Sequence, residues 1–443
     1  MQTICAISTP PGVGGLGVIR VSGQDAVSIC EKIVRVRGGL QDLAAGGAAF
    51  ASVWDGAEKV DEIVVTVFRA PRSFTGEDTV ELSCHGGRYV LRRVMELLLA
   101  NGCALAGAGE FTKRAFLNGK MDLTQAEAVI DLIHADSRLQ AKSALGQMDG
   151  GLRRRVEAVQ DALSGVTTEI MAYVDYPEET IGEIDERDIL KKLTAAGEEL
   201  SALCDTFRTG EIIGRGVRCA IVGRPNVGKS TLMNALCHAE RSIVTEIPGT
   251  TRDLIEQSAV IRDIVLRLTD TAGIRETEDA VEKIGVERAE QAARAAELIL
   301  LVLDGTKPLT AEDHALLRAY RDRAIVLLNK CDKAILADAP GALAVSAKTG
   351  EGLEALYDAI EKKVFDGLPE REDIIVTNLR QQEAIRRARD LTADSVAAIG
   401  AGHTPDLVGL DVEAAAAALG EVTGREIREK VIDDIFGRFC VGK

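Results

Sequence analysis

The stretch from Arg215 to Asp253, RGVRCAIVGRPNVGKSTLMNALCHAERSIVTEIPGTTRD, constrains the fold more than any other part of the chain. An apolar run, Cys219 to Val222, reads as a buried strand; Gly223-Arg-Pro-Asn-Val-Gly-Lys229-Ser230 follows as a glycine-rich turn, and Ser230 to Leu236 takes up helical spacing. Strand, turn and helix in that order gather backbone N–H groups and a helix N-terminus around one point, which suits a polyphosphate. Lys229 adds a charge for the β and γ phosphates, and Ser230 adds a hydroxyl for Mg²⁺. The GxxxxGK[ST] pattern in this setting leaves few purely structural alternatives.

The base is selected farther along, where the apolar run Ala324 to Leu328 ends in Asn329-Lys330-Cys331-Asp332. An ionised Asp332 accepts hydrogen bonds from the N1 and 2-amino groups of guanine, donors that adenine lacks. Asp270-Thr271-Ala272-Gly273 closes another predicted strand, Ile264 to Leu268, and supplies a carboxylate directed at Mg²⁺ and a backbone N–H for the γ-phosphate. Nucleotide contacts are therefore expected from Asn226, Val227, Gly228, Lys229, Ser230 and Thr231. More come from the loop Thr245, Glu246, Ile247, Pro248, Gly249, Thr250 and Thr251, and from Asp270, Thr271, Ala272 and Gly273. Asn329, Lys330 and Asp332 with Ser346, Ala347 and Lys348 complete the base pocket. Five motifs in this order imply a chain that binds and hydrolyses GTP.

Ras-like GTPases place a glutamine just after the DxxG glycine to orient water, and an arginine finger neutralises charge. Here that position is Ile274, which can do neither. Glu282, in the segment beyond Gly273, is the nearest water-orienting group; a solvated surface glutamate is the other reading. The side-chain oxygen of Asn226 could help hold a monovalent cation, with backbone oxygens of the Thr245 to Thr250 loop completing its shell. Arg252 and Arg275 are the alternative sources of charge.

The rest of the chain divides by pattern. Residues 1–118 carry short strand-like runs (Ile4 to Ile7, Gly17 to Val21, Glu62 to Phe68, Thr79 to Ser83) and one helical run, Tyr89 to Leu99, and read as an α+β domain. Residues 119–215 are helical. Their apolar stripe includes Leu145, Met148, Leu152, Val156, Val159, Leu163, Val166 and Ile170, then Ile189, Leu193, Ala196, Leu200, Leu203 and Phe207. Residues 216–367 alternate strands and helices as a doubly wound sheet does. Residues 368–443 are helical again, with Ile385, Ala388 and Leu391, then Leu407, Leu410 and an alanine-rich stretch to Leu419. Helical flanks on both sides suggest a GTPase unit inserted into a helical domain.

The formal charge of −16 argues against a chain that coats nucleic acid non-specifically, although a local basic patch is compatible with it. Arg153, Arg154 and Arg155 form such a run, or else a solvated helix face. Nine cysteines without CxxC spacing fit a reduced cytoplasmic setting, and no apolar run approaches 18 residues, so no membrane span is expected.

The combination of Gly223 to Ser230, Thr245 to Asp253, Asp270 to Glu276, Val281 to Gly285, Phe111-Thr-Lys-Arg-Ala-Phe-Leu-Asn-Gly-Lys120 and the tail Cys440-Val-Gly-Lys443 resembles the MnmE (TrmE) family of bacterial tRNA modification GTPases, over the whole length. The resemblance implies a multi-domain α/β protein: an N-terminal α+β tetrahydrofolate-binding-like domain that dimerises, a helical domain, and an inserted Ras-like P-loop GTPase domain. It implies K⁺ held by Asn226, Thr245, Ile247 and Thr250, Mg²⁺ held by Ser230 and Thr251, and Glu282 acting on water through a second water. It also implies 5,10-methylenetetrahydrofolate or 5-formyltetrahydrofolate bound by Arg20, Glu81, Lys120 and Lys443, with Arg20 and the lysines suited to the glutamyl carboxylates and Glu81 to the pterin's donor edge. Cys440 is either a functional thiol near the one-carbon unit or an anchor for the tail. The implied partners are a second copy (a homodimer), tRNA, and an FAD-dependent protein, MnmG (GidA), in a heterotetramer. The implied product is a carboxymethylaminomethyl or aminomethyl group on carbon 5 of wobble uridine 34. Two other readings are a ribosome-assembly GTPase, which would want an RNA-binding appendage, and a dynamin-like GTPase, which would want a membrane-binding segment.

Overall fold

The computed structural model describes residues 1–175, 185–239, 256–269, 293–366, 368, 376–427 and 429–442. They form two compact units: residues 1–130, 147–196 and 390–443 make one, and residues 131–146 and 197–389 make the other.

The first unit opens with a seven-stranded sheet. Its strands are β1 (Ile4–Ile7), β2 (Gly17–Ser22), β3 (Val34–Val36), β4 (Gly47–Asp55), β5 (Glu58–Phe68), β6 (Thr79–Cys84) and β7 (Ala104–Leu105), in the order β3-β4-β5-β6-β2-β1-β7. All neighbours are antiparallel except β1 and β7. The helix Arg88–Ala100 buries Leu91, Val94, Met95, Leu97 and Leu98 in the same core as Ile19, Val21, Val65, Val80 and Leu82 of the strands. β4 is a strand that the sequence reading did not name. Its segment, GAAFASVWD, is rich in alanine and glycine, which have low strand propensity, and it is held extended by pairing with β5.

In the same unit the helix Gly151–Asp175 buries Leu152, Val156, Val159, Leu163, Val166 and Ile170, the predicted stripe, and packs against the helix Pro405–Thr423. Gln160 Nε2 donates to Ala416 O at 3.1 Å, and a Cβ on Gly409 would lie 3.1 Å from Ile170 Cγ2. That close approach corrects the expected stripe of the second helix. Its buried face is Val408, Val412, Ala415, Ala416 and Leu419, whereas Leu407 and Leu410 are 51% and 58% exposed. Small residues let the two helix backbones approach, and the larger leucines fall on the outer side. A second correction concerns Leu145. Residues 123–148 fold as two helices, Leu123–Ile133 and Arg138–Met148, and the latter buries Ser143 and Ala144 while Leu145 is exposed.

The second unit holds a six-stranded sheet: β8 (Val217–Val222), β9 (Glu256–Ile261), β10 (Ile264–Thr269), β11 (Leu298–Asp304), β12 (Ala324–Asn329) and β13 (Leu343–Val345), ordered β13-β12-β11-β8-β10-β9. Every pairing is parallel except β9 with β10. Alternate residues of β8 enter opposite cores. Cys219 and Ile221 pack with Leu232 and Leu236 of the helix Lys229–Ala239 and with Leu356 and Ile360 of the helix Leu353–Phe365. Ala220 and Val222 pack on the other face with Leu316 and Leu317 of the helix Ala311–Tyr320. Covered on both faces, such strands read as continuous apolar runs, which is why Ala324 to Leu328 was visible in the sequence. After β8 the chain builds β9 and β10 on one side, then β11, β12 and β13 on the other, so the strand order reverses between β8 and β11. In open α/β sheets the crevice at that reversal, outside the strand C-termini, is where ligands bind.

Candidate functional site

Four loops gather at this end of the sheet, and each leaves the C-terminal end of a strand, β8, β11, β12 or β13. The first, from β8 into the helix Lys229–Ala239, is the predicted phosphate loop. Asn226 has φ +62° and Gly228 φ +102°, so the backbone curls in the way that turns successive N–H groups inward. Lys229 Nζ donates to Gly223 O at 2.7 Å and Arg224 O at 2.9 Å, which folds the ammonium back over the loop. Ser230 and Thr231 are exposed in the first helical turn, and Val227 is buried beneath.

Asn329, the last residue of β12, ties this loop to the next. Its Nδ2 donates to Val227 O at 2.8 Å, and its Oδ1 accepts from Ala347 N at 3.0 Å. Lys330, with φ +71°, donates to Asn226 O at 3.0 Å. Ser346 Oγ donates to Asp332 Oδ1 at 2.8 Å, so the serine of the Ser346-Ala347-Lys348 loop orients the predicted guanine acceptor. Asn226, Val227, Gly228, Lys229, Asn329, Lys330, Asp332, Ser346 and Ala347 are thus joined through one network of contacts. Thr245, Glu246, Ile247, Pro248, Gly249, Thr250, Thr251, Asp270, Thr271, Ala272, Gly273 and Glu282 lie outside the described residues, as do Arg252 and Arg275.

Asp304, the last residue of β11, completes the cluster. Its Oδ2 accepts from Lys330 Nζ at 2.7 Å, and its Oδ1 accepts from Thr306 N at 3.0 Å and Thr306 Oγ1 at 2.6 Å. Burial opposes its ionisation, but the bonds from Lys330 and Thr306 outweigh burial and hold the carboxyl at about 2. Because the folded value lies below the ordinary 3.8, the stability this group contributes is complete above the ordinary value and is lost as pH falls toward 2.

In the first unit, Arg20 and Glu81 are directly opposed on β2 and β6, and Arg20 Nε donates to Glu81 Oε1 at 2.9 Å. The Arg20 guanidinium also lies 5.6 Å from the Phe74 ring centroid and 5.7 Å from that of Phe111. Arg20 and Glu81, two of the residues expected at a folate, are therefore an ion pair in contact, with Arg20 orienting the Glu81 carboxylate. Lys120 Nζ donates to Pro71 O at 2.9 Å, on the loop that carries Phe74. The tail reaches the same neighbourhood. Gly109 N donates to Cys440 O at 3.4 Å, Val441 bridges Ala108, and Ser8 Oγ donates to Gly442 O at 3.0 Å. Phe111 is two residues past Gly109, so one short helix, Glu110–Leu117, carries an aromatic neighbour of Arg20 and begins at the tail's anchor. Cys440 is exposed, and Lys443 lies outside the described residues. In the basic run Arg153 is paired with Glu157, its Nε 3.0 Å from Oε1, and Arg154 donates to the backbone oxygen of Asp149 at 2.6 Å.

Over residues 123–440 the chain matches the family described as the MnmE helical domain, and over residues 3–120 the family described as the GTP-binding protein TrmE N-terminus. The tRNA modification GTPase MnmE of Thermotoga petrophila is 41% identical over 455 aligned residues, covering 100% of both chains. The chain belongs to the MnmE (TrmE) family. Further MnmE proteins, from Heliobacterium modesticaldum and Clostridioides difficile, are 42% and 38% identical, each over 100% of this chain and 99% of the relative. Among solved structures, an Aquifex aeolicus Era variant bound to GDP·AlF4⁻ aligns with 28% identity and a TM-score of 0.27, covering 40% of this chain and 66% of that one. The G domain of the Thermotoga maritima FeoB iron transporter aligns with 26% identity and a TM-score of 0.25, covering 33% and 98%.

As a member of the MnmE family the chain is a GTP hydrolase acting in tRNA modification, built from the N-terminal, helical and P-loop GTPase parts that the resemblance implied. No helix among the described residues is long and apolar enough to cross a membrane. In this MnmE chain, sequence reasoning missed Asp304, Phe74 and Ser8. Only Asp304 carried a signal: it follows the six-residue apolar run Leu298 to Leu303 at a strand terminus, in the position that Asn329 occupies on the neighbouring strand.

Proposed function

We propose that the chain is a K⁺-activated GTPase that works with an FAD-dependent partner of the MnmG (GidA) kind. Together they place an aminomethyl-type group on carbon 5 of wobble uridine 34 in certain tRNAs, using a tetrahydrofolate one-carbon unit, in the cytoplasm. The observation that carries this reading is the coupling of the phosphate loop to the guanine-selecting loop through Asn329 and Lys330, in a chain that aligns end to end with MnmE proteins. Segments 1–118, 119–215, 216–367 and 368–443 are the proposed folate-binding and dimerising domain, first helical part, GTPase domain and second helical part.

The chemistry of the donors suits the ions. The Ser230 hydroxyl sits in the first turn of the helix that follows the phosphate loop, which with Thr251 would hold Mg²⁺. Asn226 is exposed in that loop, and with Thr245, Ile247 and Thr250 would hold K⁺. Bound there, the two ions supply positive charge against the charge that builds on the phosphate oxygens. Lys229 and the loop N–H groups bind and orient the β and γ phosphates, Asp332 orients the base, and Glu282 holds the attacking water in line through a second water. Hydrolysis serves meeting and parting of two GTPase domains in a homodimer, and the heterotetramer with the FAD protein carries out the carbon chemistry. Arg20, Glu81, Lys120 and Lys443 position the folate, and the tail brings Cys440 to it.

Mass spectrometry of tRNA nucleosides from cells with and without the gene tests the function. The expected result is loss of the 5-aminomethyl-type uridine, restored by the intact gene and not by Glu282→Ala; unchanged nucleosides would favour the ribosome-assembly reading. Turnover in KCl is expected to exceed that in NaCl at equal ionic strength, and equal rates would remove the cation role of Asn226.

The tail offers a separate check. Gly442 has φ +99°, and an added Cβ would lie 2.5 Å from Ile7 O, so Gly442→Ala cannot seat in place. This substitution is expected to abolish tRNA modification in the complex with the FAD protein while GTP turnover persists; full modification would disconnect the tail from the chemistry.

A further inference from the structure

The segment Asp304-Gly305-Thr306 belongs to none of the nucleotide motifs, yet the loop that carries Asn329 and Lys330 is fastened to it. Gly305 N donates to Asn329 O at 2.9 Å, and a Cβ on Gly305 would also lie 2.9 Å from that oxygen, so the two strand ends are in tight contact. Asp304 is 9% exposed, and the two Thr306 bonds on Oδ1 leave its Oδ2 fixed in direction. That oxygen is 2.7 Å from Lys330 Nζ, which in turn is 3.0 Å from Asn226 O. Lys330 and Asn226 both have left-handed backbones, a conformation that side chains with a Cβ adopt only when their surroundings hold them.

We propose that Asp304 is a positioning residue for guanine-nucleotide binding, which acts through Lys330 to hold the phosphate loop in register with the base-selecting loop. A charge-assisted bond to a fixed carboxylate sets the ammonium where it can also donate to Asn226 O. Without it Lys330 has a mobile four-carbon stem and a choice of solvent, and the left-handed turn at Asn226 loses its tether. Thr306 sits one step farther out, because it fixes the carboxylate and touches neither loop. The inference rests on the GTP-binding reading and extends it to a residue outside the motifs.

The test is release of a fluorescent N-methylanthraniloyl GDP from the full-length protein, with steady-state GTP hydrolysis alongside. Asp304→Asn keeps the shape and the acceptor for Thr306 but removes the charge. It is expected to speed release about tenfold and to raise KM for GTP by a similar factor, with a smaller change in kcat. Thr306→Val should give a smaller change in the same direction. The decisive comparison is made in a Lys330→Met background, where Asp304→Asn should add nothing to the release rate. An equal further increase there would mean that Asp304 supports the fold by another route, and the inference would fall. It would fall as well if Asp304→Asn, shown folded by circular dichroism, released nucleotide at the wild-type rate. Wild-type protein that binds no labelled GDP would remove the GTP-binding reading along with it, so the two failures are distinguishable.

Discussion

Asp332→Asn is expected to lower the affinity for GTP by about 10²- to 10⁴-fold and to confer binding of xanthosine triphosphate. The carboxylate of Asp332, with Oδ1 held at 2.8 Å from Ser346 Oγ, is the proposed acceptor for two donors on the guanine edge. Hydrogen bonds to a charged group contribute about 1.5–3 kcal/mol each, so losing two costs about 3–6 kcal/mol, which is the stated range in affinity. An amide at this position offers a donor where xanthine offers a carbonyl oxygen, so the lost affinity for one base returns as affinity for the other. Competition of the two triphosphates against labelled GDP measures both effects. Unaltered GTP affinity in the variant would mean that the base is read elsewhere.

Gly228→Ala should be nearly as damaging, for a steric reason. At φ +102° the residue occupies a region costly to any side chain, and an added Cβ would lie 2.2 Å from Asn329 Nδ2. Something must move, and the nearest atom is the amide that holds Val227 O on one side while its oxygen receives Ala347 N on the other. Backbone strain of about 1–3 kcal/mol adds to the loss of two buried hydrogen bonds at about 1 kcal/mol or more each. The expected result is at least about 10²-fold weaker GTP binding, together with loss of the thermal stabilisation that GDP gives the wild-type protein. A variant that binds and melts like the wild type would show that Asn329 is not the link between the loops.

Much of this was legible because it is local. The phosphate loop is eight consecutive residues whose glycines and lysine act within a few ångströms of one another, so neighbours in sequence are neighbours in space. The stripes on Gly151–Asp175 and Glu186–Arg215 were legible because a helix repeats every 3.6 residues whatever it packs against. The stripe failed where the partner decided the face. On Pro405–Thr423 the apolar residues run most of the way round, and the fit of Gly409 and Ala416 to the opposing helix selects the side that is buried. Likewise the pairing of Arg20 with Glu81 depends on the register between β2 and β6, which their intervening 60 residues do not encode at any one point.

The sequence by itself determined that the chain is a GTPase, through motifs whose chemistry is carried by contiguous residues, and it determined the apolar periods of the long helices. Only the tertiary structure decided how those motifs are joined. Asn329 and Lys330 reach residues about a hundred positions away, Asp304 fixes Lys330 from a third strand, and the tail finds Ser8 from the opposite end of the chain. Hydrogen bonds of that kind are directional and short in range, so they exist only once strand order and register have placed both partners, and no pattern along the chain announces them.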